Sequence, residues 1–150
     1  METLIPNIQA KLSEVPGLNY IDENWGQLDD YSPNFPVQWP CALIDISDAT
    51  FTNIGKDVTK SPQNRQKGEA LVKITIANIK LTNTSLHAPI GQKEAAWSIW
   101  NVISDVHEKL HGFYPSETSS KLLRSAFHRT KRDDGIQEYE VYYSFELNNA

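Results

Sequence analysis

Apolar residues near the start of the chain recur at the spacing of an amphipathic helix. Thr3 is a suitable N-cap, Pro6 falls in the first turn, where proline is tolerated, and residues 16–17 are Pro-Gly, which ends a helix. The apolar positions are Ile5, Ile8, Leu12 and Val15. The first element is therefore expected to be a short helix.

A second and longer helical pattern occupies the centre of the chain, over residues 92–111. Its apolar stripe advances by alternating steps of three and four through Ala96, Ile99, Ile103, Val106 and Leu110. Gly112 is placed to cap the C-terminus, and Pro115 cannot continue the helix. This helix is expected to bury one face against the core.

The remaining apolar segments have the composition of β-strands. Branched and aromatic residues are concentrated in residues 18–25, 40–54 and 69–81, and the segments 121–132 and 136–147 flank a turn at residues 133–135. The order of helix, three strands, helix and hairpin predicts an α+β fold: a mostly antiparallel sheet with an N-terminal helix and one long central helix packed on it.

Two strands depart from simple alternation, and the last one keeps it. The apolar residues of segment 40–54 keep no single parity, which predicts a bend or burial on both faces. In segment 69–81 the parity changes between Ile76 and Ala77, which predicts a bulge or a strong twist there. From Tyr139 to Leu147 every second residue is apolar, so this strand is expected to be half buried.

Two polar segments are predicted to be loops. Residues 26–40 contain three prolines and are expected to form an extended surface loop. Its aromatic residues either fold back on the core or form a contact surface: Tyr31, Phe35 and Trp39. Residues 56–68 lack aromatic residues and are expected to form a mobile loop. Its basic residues are Lys56, Lys60, Arg65 and Lys67.

Length and composition are those of a soluble globular protein. A chain of 150 residues is long enough for a packed core, and we expect residues 1–150 to form a single domain. No apolar run is long enough for a membrane span, and the N-terminus lacks the order of a secretory signal. The single cysteine, Cys41, cannot form an internal disulfide, so a reducing cytoplasm is expected as the site of synthesis.

The net charge of −5 is unevenly distributed. Residues 1–55 contain eight acidic side chains and one basic side chain, whereas residues 56–100 contain seven basic and three acidic ones. Sequence-specific binding of nucleic acid is not expected of a chain that is acidic overall. The asymmetry suits a surface that meets complementary copies of itself or a partner, although an ordinary solvated surface fits equally well.

His107, Glu108 and His111 have the H-E-x-x-H spacing of zinc metalloproteases. Zinc catalysis also requires a third protein ligand, an open coordination position and groups that fix the histidine tautomers. The spacing supplies only the histidine pair, although Glu117 or His128 would be possible third ligands. Both histidines lie beside the core stripe near a helix C-terminus, a common place for structural histidines. We therefore expect a structural role and no metal.

Other candidate chemistry is sparse. Cys41 is expected to be a small core residue, and the pair Asp45 and Asp48 to be solvated. A basic run is expected to form the outer face of the hairpin, balanced by Glu138, Glu140 and Glu146, although it is also able to contact phosphates: Lys121, Arg124, His128, Arg129, Lys131 and Arg132. No dinucleotide fingerprint, Walker loop or nucleophile elbow is present. The sequence predicts a protein that is not an enzyme and has no cofactor.

The order and spacing of the elements resemble those of tail-terminator, or tail-completion, proteins of tailed bacteriophages and prophages. The resemblance covers nearly the whole chain and rests on "PVQWPCALIDI", "GEALVKITIANIKL", "AAWSIWNVISDVHEKLHGF" and "LLRSAFHRTKRDDGIQEYEVYYSFEL". Head-completion and stopper proteins of the phage neck fit about as well. The resemblance implies a hexameric ring that caps the tail tube and joins it to the neck and head.

The resemblance also implies partners and a location. The expected partners are copies of the chain itself, the tail-tube protein and a neck or head-completion protein, with DNA passing through the lumen and no membrane contact. The expected location is the virion, after synthesis in the host cytoplasm. Candidate interface residues are Lys56, Lys60, Arg65, Lys67, Tyr31, Phe35, Trp39, Arg124 and Arg129. The alternatives are a small zinc hydrolase that uses residues 107–111 and a protein-binding module that uses the 31–39 loop.

Overall fold

The computed structural model describes residues 1–30, 36–79 and 84–148, and its element order is the predicted one. Two α-helices and five β-strands, with one short 3-10 helix at Gln27–Asp29, follow in the order α1 (Leu4–Leu12), β1 (Tyr20–Glu23), β2 (Cys41–Lys56), β3 (Asn64–Ile79), α2 (Ile90–Leu110), β4 (Leu123–Thr130) and β5 (Ile136–Leu147). The predicted α+β class is confirmed. Neither helix in the described ranges has the length and apolar character needed to cross a bilayer.

The strands form one sheet in the order β1-β2-β3-β5-β4. β2, β3, β5 and β4 pair antiparallel, as expected, whereas β1 pairs parallel with β2. β1 and β4 are therefore the two edges of the sheet. In β5, Tyr139, Val141, Tyr143, Phe145 and Leu147 are buried, which confirms the prediction of a half-buried strand.

Both helices cover one face of the sheet, called here the helix face. The predicted stripe of α2 is fully buried, and Gly112 ends the helix with a φ of 85°, as its role as a C-terminal cap requires. In α1, Leu4, Ile8 and Leu12 are buried, and the helix ends at Leu12, before the Pro-Gly pair. Thr3 occupies the N-cap position but makes no capping hydrogen bond through its side chain, contrary to expectation.

The second apolar cluster lies on the opposite face of the sheet, called here the open face. There the segment after β1, called here the covering segment (residues 26–30 and 36–40), lies over one end of the sheet. Its Leu28 and Val37 pack on Cys41, Leu43 and Ala77. Both faces of β2 and β3 are therefore buried at this end, as predicted for β2. No register shift occurs between Ile76 and Ala77, so the bulge, one of the two predicted alternatives, is wrong. The parity changes in the sequence because two cores face the same strand.

A real bulge lies in β2. Ile46 pairs with Val72 and Asp48 with Leu71, which leaves Ser47 as the extra residue. The shift turns Ala49 toward the helix-face core and leaves Asp48 on the open face. The loss of a single parity in this segment thus has two causes, burial on both faces at one end and this bulge.

Beyond the core, β2 and β3 continue as a two-stranded hairpin, called here the arm (residues 50–67). Thr52 pairs with Lys67 and Lys56 with Asn64, so the loop predicted for residues 56–68 is wrong for the part that belongs to β3. The turn is ordered by Asp57, whose carboxylate accepts hydrogen bonds from the N–H and hydroxyl of Thr59 at 2.9 and 2.6 Å. Backbone pairing needs no apolar side chains, which is why composition alone misses it.

Arg132, in the turn between β4 and β5, fastens the covering segment of the open face to the sheet. Its guanidinium donates to Glu138 at 3.0 Å, to Asp29 at 2.8 Å, to Asp134 at 2.7 Å and to the Leu28 carbonyl at 3.0 Å. The side chain is only 10% exposed. Arg132 thus connects segments more than 100 residues apart and neutralises the buried carboxylate of Glu138.

Replacing Arg132 with methionine is expected to lower the free energy of unfolding by about 3 kcal/mol, because Glu138 is left buried without a cation. Urea denaturation measures this loss. The control Lys131→Met, at an exposed neighbour, should change stability by less than about 0.5 kcal/mol. Equal effects of the two substitutions would contradict the anchoring role of Arg132.

Candidate interaction surfaces

The last turn of α2 places both histidines of the H-E-x-x-H spacing against β4 and β5. The Nδ1 atom of His107 lies 3.3 Å from the hydroxyl of Tyr143, which is buried in the core of the helix face. The two imidazole rings are 4.7 Å apart between centroids. Glu108 lies on the exposed side of the helix. The pair therefore forms part of the boundary between α2 and the sheet.

His111 is engaged by the backbone of the edge strand. Its Nδ1 atom accepts a hydrogen bond of 3.1 Å from the N–H of Arg124. A neutral imidazole that accepts at Nδ1 carries its proton on Nε2, so neither nitrogen has a free lone pair for a metal. In a zinc site, by contrast, one ring nitrogen binds the metal through its lone pair and the other donates its N–H to an acceptor. The hydrogen bond of His111 fits a structural role.

The candidate third ligands are not brought to this pair. His128 pairs with Glu140 across β4 and β5, on the open face, whereas α2 lies on the helix face. Within residues 1–30, 36–79 and 84–148, no three His, Cys, Asp or Glu residues are grouped so that they would hold an ion. The donor set expected of a zinc hydrolase is therefore not assembled by the described residues.

The other candidate catalytic groups are placed in unreactive surroundings. Cys41 is fully buried, and burial raises the pKa of its thiol to about 12, so the thiolate is not formed near neutral pH. Asp45 lies 3.9 Å from the amine of Lys73. Asp48, displaced by the bulge, is exposed on the open face and has no ion-pair partner among the described residues.

A groove separates the outer side of α2 from β4. It has a volume of about 630 Å³ and is lined by Trp100, Ile103, Ser104, His107, Arg124, Ser125, Ala126 and Phe127. Trp100 lies 6.0 Å from Phe127 and 4.8 Å from Tyr139 between ring centroids. Trp100 is 46% exposed and Phe127 is 45% exposed, so the groove presents an aromatic surface to solvent.

β4, which borders this groove, and the residues on either side of it are strongly basic. Lys121, Arg124, Arg129 and Lys131 form no ion pair with any described residue. Arg129 lies over the ring of Tyr139, 5.7 Å from its centroid, and so belongs to the groove side. Of the acidic residues expected to balance the basic run, Glu138 pairs with Arg132, a member of that run, whereas Glu140 pairs with Lys73 and Glu146 with Lys67. The expected balance across the hairpin is therefore confirmed for Arg132 and wrong for the other lysine and arginine residues of the run.

The arm is the second exposed surface. Three large apolar side chains are exposed on it: Phe51 at 42%, Ile54 at 51% and Val58 at 74%. Two of its cations, Lys56 and Lys60, are exposed and form no ion pair with the described residues. The arm thus combines apolar contact area with positive charge.

The other proposed interface residues differ in their surroundings. Arg65 donates to the Pro62 carbonyl at 3.1 Å, and Lys67 lies 3.4 Å from Glu146. Trp39 packs against the apolar cluster of the open face. For this residue the alternative of folding back on the core is therefore confirmed. Tyr31 and Phe35 lie outside the described residues.

Sequence reasoning missed the aromatic groove. The available signal was the presence of Trp97 and Trp100 three residues apart in α2, beside a core stripe that is already complete without them. Extra large apolar residues at the margin of a stripe indicate a second contact surface. Their meeting with Phe127 depends on long-range packing and is not visible in the local pattern.

Comparison with known proteins gives a distant likeness to solved structures. No protein-family model matches the chain, and no curated protein matches it significantly. Among solved structures, the chain is similar to one described as "Virion of native gene transfer agent (GTA) particle", with a TM-score of 0.45 and 8% identity over 94% of this chain and 84% of that chain. At this TM-score the likeness carries no argument about function.

The histidine pair gives the fold a testable dependence on pH. Burial, reinforced by the nearby charge of Arg124 and by electrostatic interaction with His111, lowers the pKa of His107 in the folded protein. The unfolded chain therefore binds this proton more readily, and stability is lost as pH falls through the unfolded value of about 6.5. Urea titrations between about pH 7.5 and pH 5 should show a smaller loss for His107→Gln. Equal slopes for the two proteins would contradict this assignment.

Proposed function

We propose that the protein is a structural assembly protein whose copies associate into a closed ring. The observation that carries the proposal is the arm. It extends past both cores of the sheet and exposes Phe51, Ile54 and Val58, together with Lys56 and Lys60, which form no ion pair with the described residues. A two-stranded hairpin is only marginally stable by itself in water, and its apolar side chains gain most when they are buried on another surface.

Charge favours a second copy of the chain as that surface. The open face carries Asp48 and Glu69 near the base of the arm, both exposed and without ion pairs to the described residues. A basic arm and an acidic face on one protomer are complementary between copies. Because the two surfaces differ, their contact is heterologous and generates a ring when the rotation closes.

Within this class we propose a tail terminator or tail-completion protein, a non-enzymatic part of the virion. The order of helix, three strands, helix and hairpin supports this role, since the sequence resemblance rests on the same order. The ring, six-fold by that resemblance, would cap the tail tube, join it to a neck or head-completion protein and let DNA pass through its lumen. Synthesis in the host cytoplasm goes with this role, and another neck protein of the same build remains the alternative.

The zinc hydrolase alternative gains no support from the geometry, because His111 accepts a hydrogen bond at Nδ1. The binding-module alternative, based on residues 31–39, gains little, because Trp39 packs on the sheet. If the hydrolase were correct, Glu108→Gln would abolish activity and leave assembly intact.

Light scattering after gel filtration tests ring formation, and the arm variants Ile54→Asp and Val58→Asp sharpen the test. Each places a charge where apolar contact is proposed, so we expect at least a tenfold weaker association, corresponding to about 1.4 kcal/mol. Both side chains are exposed, so the fold should be unaffected. The control Leu86→Asp, at another exposed apolar position, should assemble as the unaltered chain does.

Electron microscopy and binding to purified tail tubes address the finer assignment. Rings that bind one end of a tail tube are expected. A chain that stays monomeric at all concentrations, and also fails to bind tail tubes, would overturn the proposal.

A further inference from the structure

We propose that the groove between α2 and β4 binds an extended, acidic segment of a partner protein, which adds to β4 as a further strand of the sheet. This proposal concerns a different surface from the arm and does not rest on ring formation.

The first support is the open backbone of β4. The start of this strand is already covered by the chain that follows α2: Gly112 donates to the Leu122 carbonyl at 2.7 Å, Leu122 to the Phe113 carbonyl at 2.8 Å, and Arg124 to His111. From residue 125 to residue 130 no such cover is present among the described residues. An uncovered edge of this length offers backbone donors and acceptors to an added strand.

The opposite edge of the sheet is closed in a different way. The Gln9 side chain donates to the Ile21 carbonyl at 2.9 Å, and the Asp22 carboxylate accepts from the N–H of Glu23 at 2.8 Å. Both contacts use backbone groups of β1 that an added strand would need. Strand addition is therefore favoured at β4 and not at β1.

The second support is the side-chain surface beside the open edge. An added strand would direct alternate side chains toward the helix face, into the groove lined by Trp100, Ile103 and Phe127. Apolar residues of the segment would cover aromatic rings that are now about half exposed. The groove would thus provide apolar contact area for the segment, and backbone pairing with β4 would fix the segment's orientation.

The third support is charge. Lys121, Arg124, Arg129 and Lys131 flank the edge without ion-pair partners in the described part of the chain. An acidic segment would supply those partners at partly desolvated positions. The same cations disfavour symmetric pairing of β4 with β4 of a second copy, because like charges would face each other. A strand edge that offers backbone donors and acceptors fits an extended polypeptide better than a nucleic acid, which has no peptide backbone to pair with it.

Three blocked heptapeptides test the proposal on the full-length chain. The first alternates glutamate and valine, the second alternates lysine and valine, and the third is the first with a central proline, which removes a backbone donor. The glutamate peptide should shift the amide resonances of residues 125–130, slow their hydrogen exchange and bind about tenfold more tightly than either of the others.

Two charge reversals locate the contact. Arg129→Glu is expected to weaken binding of the glutamate peptide about tenfold, and Arg124→Glu gives a second, independent reading if the first variant is less stable. The matched control is Lys109→Glu, which changes the net charge equally but lies on α2 outside the residues that line the groove, and it should bind as the unaltered chain does. Added salt should reduce the preference for the acidic peptide.

Three outcomes would overturn the proposal. The glutamate peptide shifts none of the amides of residues 125–130 at millimolar concentration. The proline peptide binds as tightly as the first, so that no strand is added. Double-stranded DNA, or a second copy of the chain, occupies the same amides in preference to the peptide. None of these results bears on whether the arm assembles a ring.

Discussion

The structure depends on one constraint: the central strands β2 and β3 are apolar on both faces at one end, so each face needs its own cover. The two helices cover one face and bury the larger cluster. The covering segment after β1 covers the other, and Arg132 attaches it to the turn of the last hairpin. The fold is therefore a sheet held between two unlike layers, one built from packed helices and one fastened by a buried guanidinium.

The surfaces available for interaction lie where this cover ends. β2 and β3 continue as the arm beyond both layers. α2 does not fully cover β4, which leaves a groove lined by Trp100 and Phe127. The histidine pair belongs to this boundary, since His111 holds the backbone of β4 in place. A spacing that is typical of zinc enzymes here supports the edge of a sheet.

The sequence was sufficient where one periodicity meets one core. The stripe of α2 and the alternation of β5 were both predicted, because each element buries a single face. It was insufficient where one strand is buried on both faces, as at Ile76 and Ala77. It was also insufficient where backbone pairing makes a polar segment into a strand, as in the arm. The groove depends on the meeting of α2 with β4, a long-range contact that no local pattern contains.

The bulge at Ser47 determines which way the arm faces. One extra residue in β2 brings Phe51 opposite Gly68, on the side of the helices, and leaves Thr50 and Thr52 on the other side. If Ser47 were paired in register with β3 instead, every later residue of β2 would face the opposite side of the sheet, and Phe51 would lie on the open face. The unpaired residue thus lets Ile46 and Ala49, which are three positions apart, face the same core, and it fixes the orientation of the whole projection without any repacking of the interior.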